Sequence, residues 1–270
     1  MRSLRHGGMV SRREHGYSLI ELMVAILIAL FLIAGVITIE QSVRNSYSDR
    51  NGVAQLENDE RFTMTMLSEI TQSAGYYPDP AVTSQVAALP AATITAPNGA
   101  GLSFTSGQAI DGVPNTTIIN GTTYDDDSLA VRFMTASGDG IPLCDGTSNQ
   151  TGSDTVYTNY FYIASVNGTS YLYCALEIGN AWSQTSPVQL VENVEAMQIW
   201  YGLHTVASVT PGDYSVDTYV PAASMTASDW SEVTAVRIAV MFKNPLQADV
   251  GQQAATFTKV IALMSRTGGS

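Results

Sequence analysis

The sequence GYSLIELMVAILIALFLIAGVITI occupies residues 16–39. From Leu22 to Ile39 it contains 18 consecutive uncharged, mostly apolar residues. Together with the residues from Tyr17 onward it would form a helix of about 35 Å, which is long enough to span a bilayer. Glu21 is the one charged residue in this stretch, and an unpaired charge inside a membrane costs several kcal/mol. We therefore expect Glu21 to have a partner, and that partner must belong to another molecule.

The charges on the two sides of the apolar stretch have opposite signs. Four arginines precede it: Arg2, Arg5, Arg12 and Arg13. From Glu40 onward the chain has 8 Lys and Arg against 22 Asp and Glu, a formal charge of −14. The excess of basic residues predicts that the N-terminal side stays in the cytoplasm and the acidic body lies outside. An acidic body also argues against binding of nucleic acid, which requires a basic surface.

Three kinds of segment begin with a basic leader and an apolar run. A secretory signal peptide has an apolar region of about 7–15 residues before its cleavage site, and this run is longer. A plain signal anchor has the right length but leaves Glu21 unexplained. A third interpretation is a short leader that is removed, followed by a helix that is first a membrane anchor and later the core of a filament.

The residues Gly16 to Ala25 resemble the type III signal of type IV pilins and of type II secretion pseudopilins. The resemblance implies that prepilin peptidase cuts between Gly16 and Tyr17, and that Tyr17 is then N-methylated. Tyr17 replaces the usual Phe of this family, and Glu21 becomes the fifth residue of the mature chain. Our hypothesis is that Glu21 pairs with the Tyr17 amine of a neighbouring subunit and sets the axial register.

The chain offers two start sites, Met1 and Met9, and both give the same mature protein. The expected organisation is a leader at 1–16, which is removed, and a transmembrane or filament-core helix at 17–39. The amphipathic second half of that helix follows at 40–75, and a periplasmic or extracellular β-rich domain at 76–270. A loop-rich region covers 76–124, with a flexible interdomain linker as the alternative for that region.

The second half of the helix is predicted from apolar residues that recur at spacings of three and four. These are Val36, Ile39, Val43, Tyr47, Leu56, Met64, Leu67, Ile70 and Ala74. Such a stripe is expected to pack on a globular domain. Gly75 and the prolines Pro78 and Pro80 predict the end of the helix.

Strand patterns dominate the chain after Asp125. They occur at 129–133, 156–163, 170–176, 197–201, 233–242 and 257–263. The predicted fold is therefore α+β, with one long N-terminal helix packed on an antiparallel β-sheet domain, and the helix's first half spans the membrane.

Five blocks in this region, taken in order, resemble the PilW-type minor pilins. The blocks are residues 125–133, 144–146, 171–174, 190–202 and 230–237. The resemblance implies a pilin fold and a structural subunit that primes pilus assembly at or near the tip. Its implied partners are other minor pilins, the major pilin and a tip adhesin, with the inner membrane as its location before assembly and the cell surface afterwards. Two alternatives remain: a J-type minor pseudopilin of type II secretion, or a membrane-anchored periplasmic binding or adhesive protein that does not polymerise.

Two cysteines, Cys144 and Cys174, lie in the exported part of the chain. An even pair in an oxidising compartment predicts one disulfide, and two buried free thiols are the alternative. The scattered histidines and the absence of C-x-x-C spacing argue against a metal site. No G-x-S-x-G or H-E-x-x-H motif is present. The sequence therefore predicts neither an enzyme nor a cofactor.

Two groups of charged residues in the body have alternative explanations. The run Asp125–Asp127 contains possible calcium ligands, but it lacks the spacing of an EF-hand loop, which favours a solvated turn. Arg132 and Arg237 lie inside apolar strands. They either face outward or pair with carboxylates that fix the sheet register, for which the candidates are Glu192, Glu195 and Glu232.

Overall fold

A computed structural model describes residues 16, 18–119, 121–179, 181–183, 187–204, 215–246 and 254–264. The chain forms two compact units, Met1–Asn51 and Gly52–Ser270. Helix α1, Leu19–Gln72, begins in the first unit and ends in the second. The long helix predicted from the sequence is therefore present.

The described part of the first unit is almost entirely helix, and all of its described side chains are exposed. An 18-residue window of α1 has a mean hydropathy of 3.1, so by length and composition this helix can cross a membrane. Val36, Ile39, Val43 and Tyr47, which form the first part of the predicted stripe, lie in this unit and are all exposed. Packing of these four residues on a globular domain stays a prediction.

In the second unit the predicted helical stripe is buried. Met64, Leu67 and Ile70 on α1 and Ala74 just after it lie in the main core. The helix ends at Gln72, and Gly75 adopts a positive φ of 75° while its N–H donates to the Arg132 carbonyl at 2.9 Å. Glycine reaches this conformation without the steric cost of a Cβ, which explains the stop at this position.

The loop-rich region contains one short helix and five short strands. They are α2 Gln85–Ala88, β1 Ala92–Thr95, β2 Gly101–Phe104, β3 Ile110–Val113, β4 Thr116–Ile119 and β5 Thr122–Asp125. Most of the later strands are longer. They are β6 Ser128–Thr135, β7 Thr155–Val166, β8 Thr169–Ile178, β9 Ala181–Trp182, β10 Val188–Glu192, β11 Val194–Leu203, β12 Thr218–Pro221, β13 Val233–Phe242 and β14 Ala255–Ala262. Two 3-10 turns lie at Ala222–Ser224 and Asp229–Glu232.

The predicted α+β class, with a long N-terminal helix and an antiparallel β-sheet domain, is confirmed. All described strand pairs are antiparallel, and they form two main sheets. The six-stranded sheet has the order β10-β8-β7-β6-β3, with β9 also paired to β8. The four-stranded sheet has the order β12-β11-β13-β14. The pairs β1-β2 and β4-β5 form two small sheets. The sequence did not reveal the division, because strand pairing depends on contacts between distant residues.

The main core brings together α1 and one face of each large sheet. A second core lies on the other face of the six-stranded sheet, where Ile94, Leu102 and Phe104 of β1 and β2 cover it. For this reason β6 is buried on both faces, with Leu129 in the main core and its neighbour Ala130 in the second.

The predicted disulfide between Cys144 and Cys174 is confirmed. Their Cα atoms are 5.9 Å apart, and both residues are fully buried. The bridge joins the loop after β6 to the middle of β8. It thus ties the long loop between β6 and β7 to β8, the strand beside β7 in the six-stranded sheet.

Candidate functional site

The start of α1 carries the residues that the sequence singles out. The Ser18 carbonyl accepts hydrogen bonds from the backbone N–H groups of Glu21 at 3.0 Å and Leu22 at 3.2 Å, which begins the helix. Glu21 therefore lies in the first turn, where a carboxylate is favoured by the helix dipole. Ser18 and Glu21 also have the spacing of a capping box. Helix capping is thus a local explanation for Glu21 that does not require a second molecule.

The predicted cleavage site lies just before this turn. Gly16 is exposed, and no atom lies within 4 Å of the position where a Cβ would stand. Tyr17, the predicted site of N-methylation, lies outside the described residues. Cleavage, methylation and the role of Glu21 in subunit register remain predictions.

After Glu21 the helix presents an apolar surface on every side. Large apolar side chains from Leu22 to Ile39 are about half exposed or more, including Phe31 at 79%. The surface ends at Glu40, whose carboxylate accepts a hydrogen bond of 3.1 Å from the Arg44 Nε. The uncharged stretch is about 27 Å long, close to the hydrocarbon thickness of a bilayer. A helix that is apolar all round must be covered by lipid or by other helices.

The acidic turn Asp125–Asp127 differs from the solvated turn that we predicted. Asp126 and Asp127 are only 9% and 5% exposed. The N–H of Asp127 donates to the Met197 carbonyl at 2.6 Å, and its Oδ2 accepts a hydrogen bond of 2.9 Å from the N–H of Ile199. Burial raises the pKa of Asp126 to about 7 and that of Asp127 to about 6. Asp126 and Asp127 are therefore buried, because Asp127 bonds to the backbone of β11.

A calcium site at this turn has no support from side-chain geometry. Among the described residues, no group of three or more His, Cys, Asp or Glu side chains is placed to hold a metal ion. The Asp125 carboxylate accepts a hydrogen bond from the Gln198 side chain instead. These contacts involve residues about 72 positions apart in the chain, which is why sequence patterns did not reveal them.

Arg132 neither faces outward nor pairs with one of the predicted carboxylates. It is only 3% exposed, and its Nη2 donates to the Pro90 carbonyl at 2.9 Å. Its guanidinium carbon lies 4.6 Å from the centre of the Phe104 ring. Burial raises the pKa of Glu177, whereas the Thr158 hydroxyl and the charge of Arg132 oppose this rise. Arg132 therefore lies in the interior beside Glu177, which was not among its predicted partners.

Arg237 is held by aromatic rings. It lies directly opposite Trp200 in the sheet register, and its guanidinium carbon is 4.1 Å from the centre of the Trp200 ring and 5.1 Å from that of Tyr219. The residue is half-buried. Within the described part of the chain it forms no ion pair with any of its predicted partners, Glu192, Glu195 and Glu232. Sequence alone did not reveal this contact, because it depends on the register of β11 and β13.

An acidic pocket of about 680 Å³ lies between the second half of α1 and the ends of β10 and β13. Its lining includes Asp59, Glu192, Glu195 and Lys243. Burial and the charge of Glu192 raise the pKa of Asp59, and burial raises the pKa of Glu195 while Lys243 opposes the rise. Sequence analysis missed this group because its members come together only in the folded chain.

Comparison with known proteins gives two family matches. The model described as Type IV Pilus-assembly protein W matches residues 160–267. The model described as Prokaryotic N-terminal methylation motif matches residues 11–37, which include Gly16 and Glu21. No curated protein and no solved structure matches the chain significantly.

Proposed function

We propose that this chain, which is a minor pilin of the PilW family, primes type IV pilus assembly at or near the filament tip. The type IV pilin-like character of the chain supports a structural role, and its N-terminal methylation motif implies processing by prepilin peptidase. Its N-terminal apolar helix supports membrane anchoring before assembly. The single observation that carries the finer proposal is the apolar surface from Leu22 to Ile39, exposed on every side directly after Glu21.

The exposed apolar surface explains why assembly is favourable. Burying one Leu, Ile or Phe side chain contributes about 1.5–3 kcal/mol, so this helix leaves lipid only when other helices cover it. In the proposed filament, packed helices from neighbouring subunits provide that cover. The same helix thus serves first as a membrane anchor and then as a filament core.

Glu21 determines how neighbouring helices align in the proposed filament. After cleavage the amine of Tyr17 is cationic below about pH 8, and methylation keeps that charge. Glu21 of one subunit pairs with the Tyr17 amine of its neighbour, because leaving either charge unpaired in an apolar surrounding costs several kcal/mol. The pair fixes the axial position of one helix against the next.

The proposed partners follow from the same scheme. The leader, with its four arginines, stays on the cytoplasmic side, and the acidic body lies in the periplasm before assembly. Other minor pilins, the major pilin and a tip adhesin then contact the exported domain. The assembled subunit is exposed at the cell surface as part of the pilus.

A deletion strain complemented with variants tests this function. The wild-type chain is expected to restore surface pili and to be present in the sheared pilus fraction. Glu21→Gln is expected to be cleaved and membrane-anchored but reduced at least about tenfold in the pilus fraction. Glu40→Gln is the matched control, because Glu40 is also an exposed carboxylate of α1 but lies beyond the apolar surface.

Three results would contradict the proposal. One is Glu21→Gln entering pili at the wild-type level. Another is a deletion strain that keeps its pili but loses type II secretion, which would identify a pseudopilin. The third is a chain that keeps its leader and stays in the membrane, which would indicate a non-polymerising anchored protein.

A further inference from the structure

The four-stranded sheet has one face in the core and one face turned away from it. Register places Tyr201 opposite Val236 on the core side, and both are fully buried. The alternate pairs point to the other side, with Trp200 opposite Arg237 and Arg237 in turn opposite Val260 on β14. Val260 is 54% exposed. We call the side of the sheet that carries these three residues the outer face.

Among the described residues, Arg237 is the one charged residue at the regularly paired outward positions of this sheet, and Glu195 lies at the β11 bulge between Val194 and Ala196. The other outward positions, by strand register, are Ala196, Gln198, Trp200, Gly202, Tyr219, Pro221, Ala235, Ala239, Met241, Thr256, Thr258, Val260 and Ala262. The exported part of the chain carries 22 acidic and only 8 basic residues. A single cation in an uncharged, largely apolar area is therefore a local exception to the acidic character of the protein.

The guanidinium of Arg237 is held in place by aromatic rings, and no acceptor for it is found in the part of the chain that the structure describes. The Trp200 and Tyr219 rings lie near it, and stacking of this kind uses the flat faces of a guanidinium and leaves the N–H groups at its edges free. Its Nε is buried without a hydrogen-bond partner. No carboxylate of the described residues forms an ion pair with it. The Asp125 carboxylate, which reaches the outward residue Gln198, accepts a hydrogen bond from that side chain.

These properties suit recognition of a carboxylate. Arginine binds carboxylates through two parallel N–H···O bonds, and the planar group is always charged. Because the rings already restrict the side chain, little rotational freedom remains to be lost on binding. The apolar surroundings strengthen a charge pair compared with one in open solvent.

We propose that Arg237 is a docking residue on the outer face, and that it receives an Asp or Glu carboxylate from a neighbouring subunit of the pilus. The proposal rests on the proposed function, because it names the chemistry of one partner surface. The acidic occupant follows from charge complementarity and from the absence of an internal acceptor among the described residues. Trp200 and Tyr219 act as positioning residues that orient the guanidinium.

Photo-crosslinking from the neighbouring strand identifies the occupant directly. The full-length chain with Val260→p-benzoylphenylalanine is expressed in piliated cells, irradiated and digested. Mass spectrometry of the cross-linked peptide is expected to find a peptide of another subunit that contains Asp or Glu. A cross-link confined to peptides of the chain itself would overturn the proposal.

Charge variants of Arg237 then test whether the partner carboxylate contributes to the intersubunit contact. Arg237→Glu is expected to reduce the intersubunit cross-link at least about tenfold, and Arg237→Met to reduce it by a smaller factor. Lys259→Met is the matched control. It removes the same charge from the same sheet, but Lys259 pairs with Ile238 and not with the outer-face residues. Exchanging the identified partner carboxylate for Arg is expected to restore the cross-link of Arg237→Glu.

These measurements distinguish failure of the Arg237 docking proposal from failure of the proposed pilin function. The amount of chain in the membrane and the oxidised state of Cys144 and Cys174 show that each variant has folded. If the wild-type chain enters pili while Arg237→Glu cross-links at the wild-type level, the docking proposal fails and the pilin function stands. If the wild-type chain is absent from pili, the proposed function itself fails.

Discussion

The Oδ2 atom of Asp127 accepts a hydrogen bond of 2.9 Å from the backbone N–H of Ile199. Asp127 precedes β6 of the six-stranded sheet, whereas Ile199 lies in β11 of the four-stranded sheet. The pairing of β12 with β11 begins only at Trp200. The Asp127 side chain thus occupies the edge of β11 just before its neighbouring strand begins, and it links the two main sheets.

Removing this link is expected to destabilise the exported domain. Asp127→Ala leaves the buried N–H of Ile199 without an acceptor, which costs about 1–3 kcal/mol. Asp127→Asn keeps a side-chain oxygen and is expected to lose less. Chemical denaturation of the full-length chain in detergent measures both changes. Equal stability of the Ala variant and the wild type would show that the link contributes nothing.

The buried carboxyl of Asp126 predicts how stability changes with pH. Burial raises its pKa from 3.8 to about 7, so the folded state binds its proton more tightly than the unfolded state. The free energy of unfolding should therefore fall as pH rises from about 4 to about 7. Asp111 and Asp127, each with a pKa of about 6, act in the same direction.

Asp126→Asn tests this assignment. The variant is expected to be more stable than the wild type near neutral pH, by on the order of 1–2 kcal/mol, and to show a weaker pH dependence. Asp154→Asn is the control, because Asp154 is exposed. Thermal unfolding at several pH values measures the effect. A slope unchanged by Asp126→Asn, or lowered equally by the control, would refute the assignment.

Loss of the disulfide is expected to lower stability without changing the fold. Cys144 and Cys174 are separated by 30 positions, and closing a loop of that size contributes about 3–4 kcal/mol by restricting the unfolded chain. The double variant Cys144→Ser and Cys174→Ser should unfold at a lower denaturant concentration, and reduction of the wild type should have the same effect. A reductant that lowers the stability of the double variant as well would point to another cause.

Replacement of Arg132 is expected to be costly because it is buried. Arg132→Ala removes the donor to the Pro90 carbonyl and leaves Glu177 without its opposite charge, a loss of about 3–5 kcal/mol. Arg61→Ala is the control, because Arg61 is exposed on α1. Denaturant unfolding compares the two variants. Similar losses for both would contradict a structural role for Arg132.

The sequence predicted those features that depend on local spacing. Met64, Leu67 and Ile70 were assigned to the core because helical periodicity places them on one side of α1. Val43 and Tyr47 belong to the same periodic pattern and are exposed in the first unit, because periodicity predicts which side of a helix is apolar and not what covers that side.

The disulfide was predicted because the chain has only two cysteines, but the other distant contacts were not. Asp126 and Asp127 resemble a solvated turn in the sequence, and they become buried only because β11 lies beside them. Arg237 and Trp200 are 37 positions apart, and strand register alone makes them neighbours. The N-terminal methylation motif was identified from the sequence alone, since its residues lie within a few positions of one another.

The central claim is that the chain is a processed subunit of a filament. Mass spectrometry of the chain isolated from sheared pili tests it most directly. The predicted result is a mature protein that begins at Tyr17 and carries one N-terminal methyl group. A chain that retains its residues up to Gly16, or that is found only in the membrane fraction, would contradict the account.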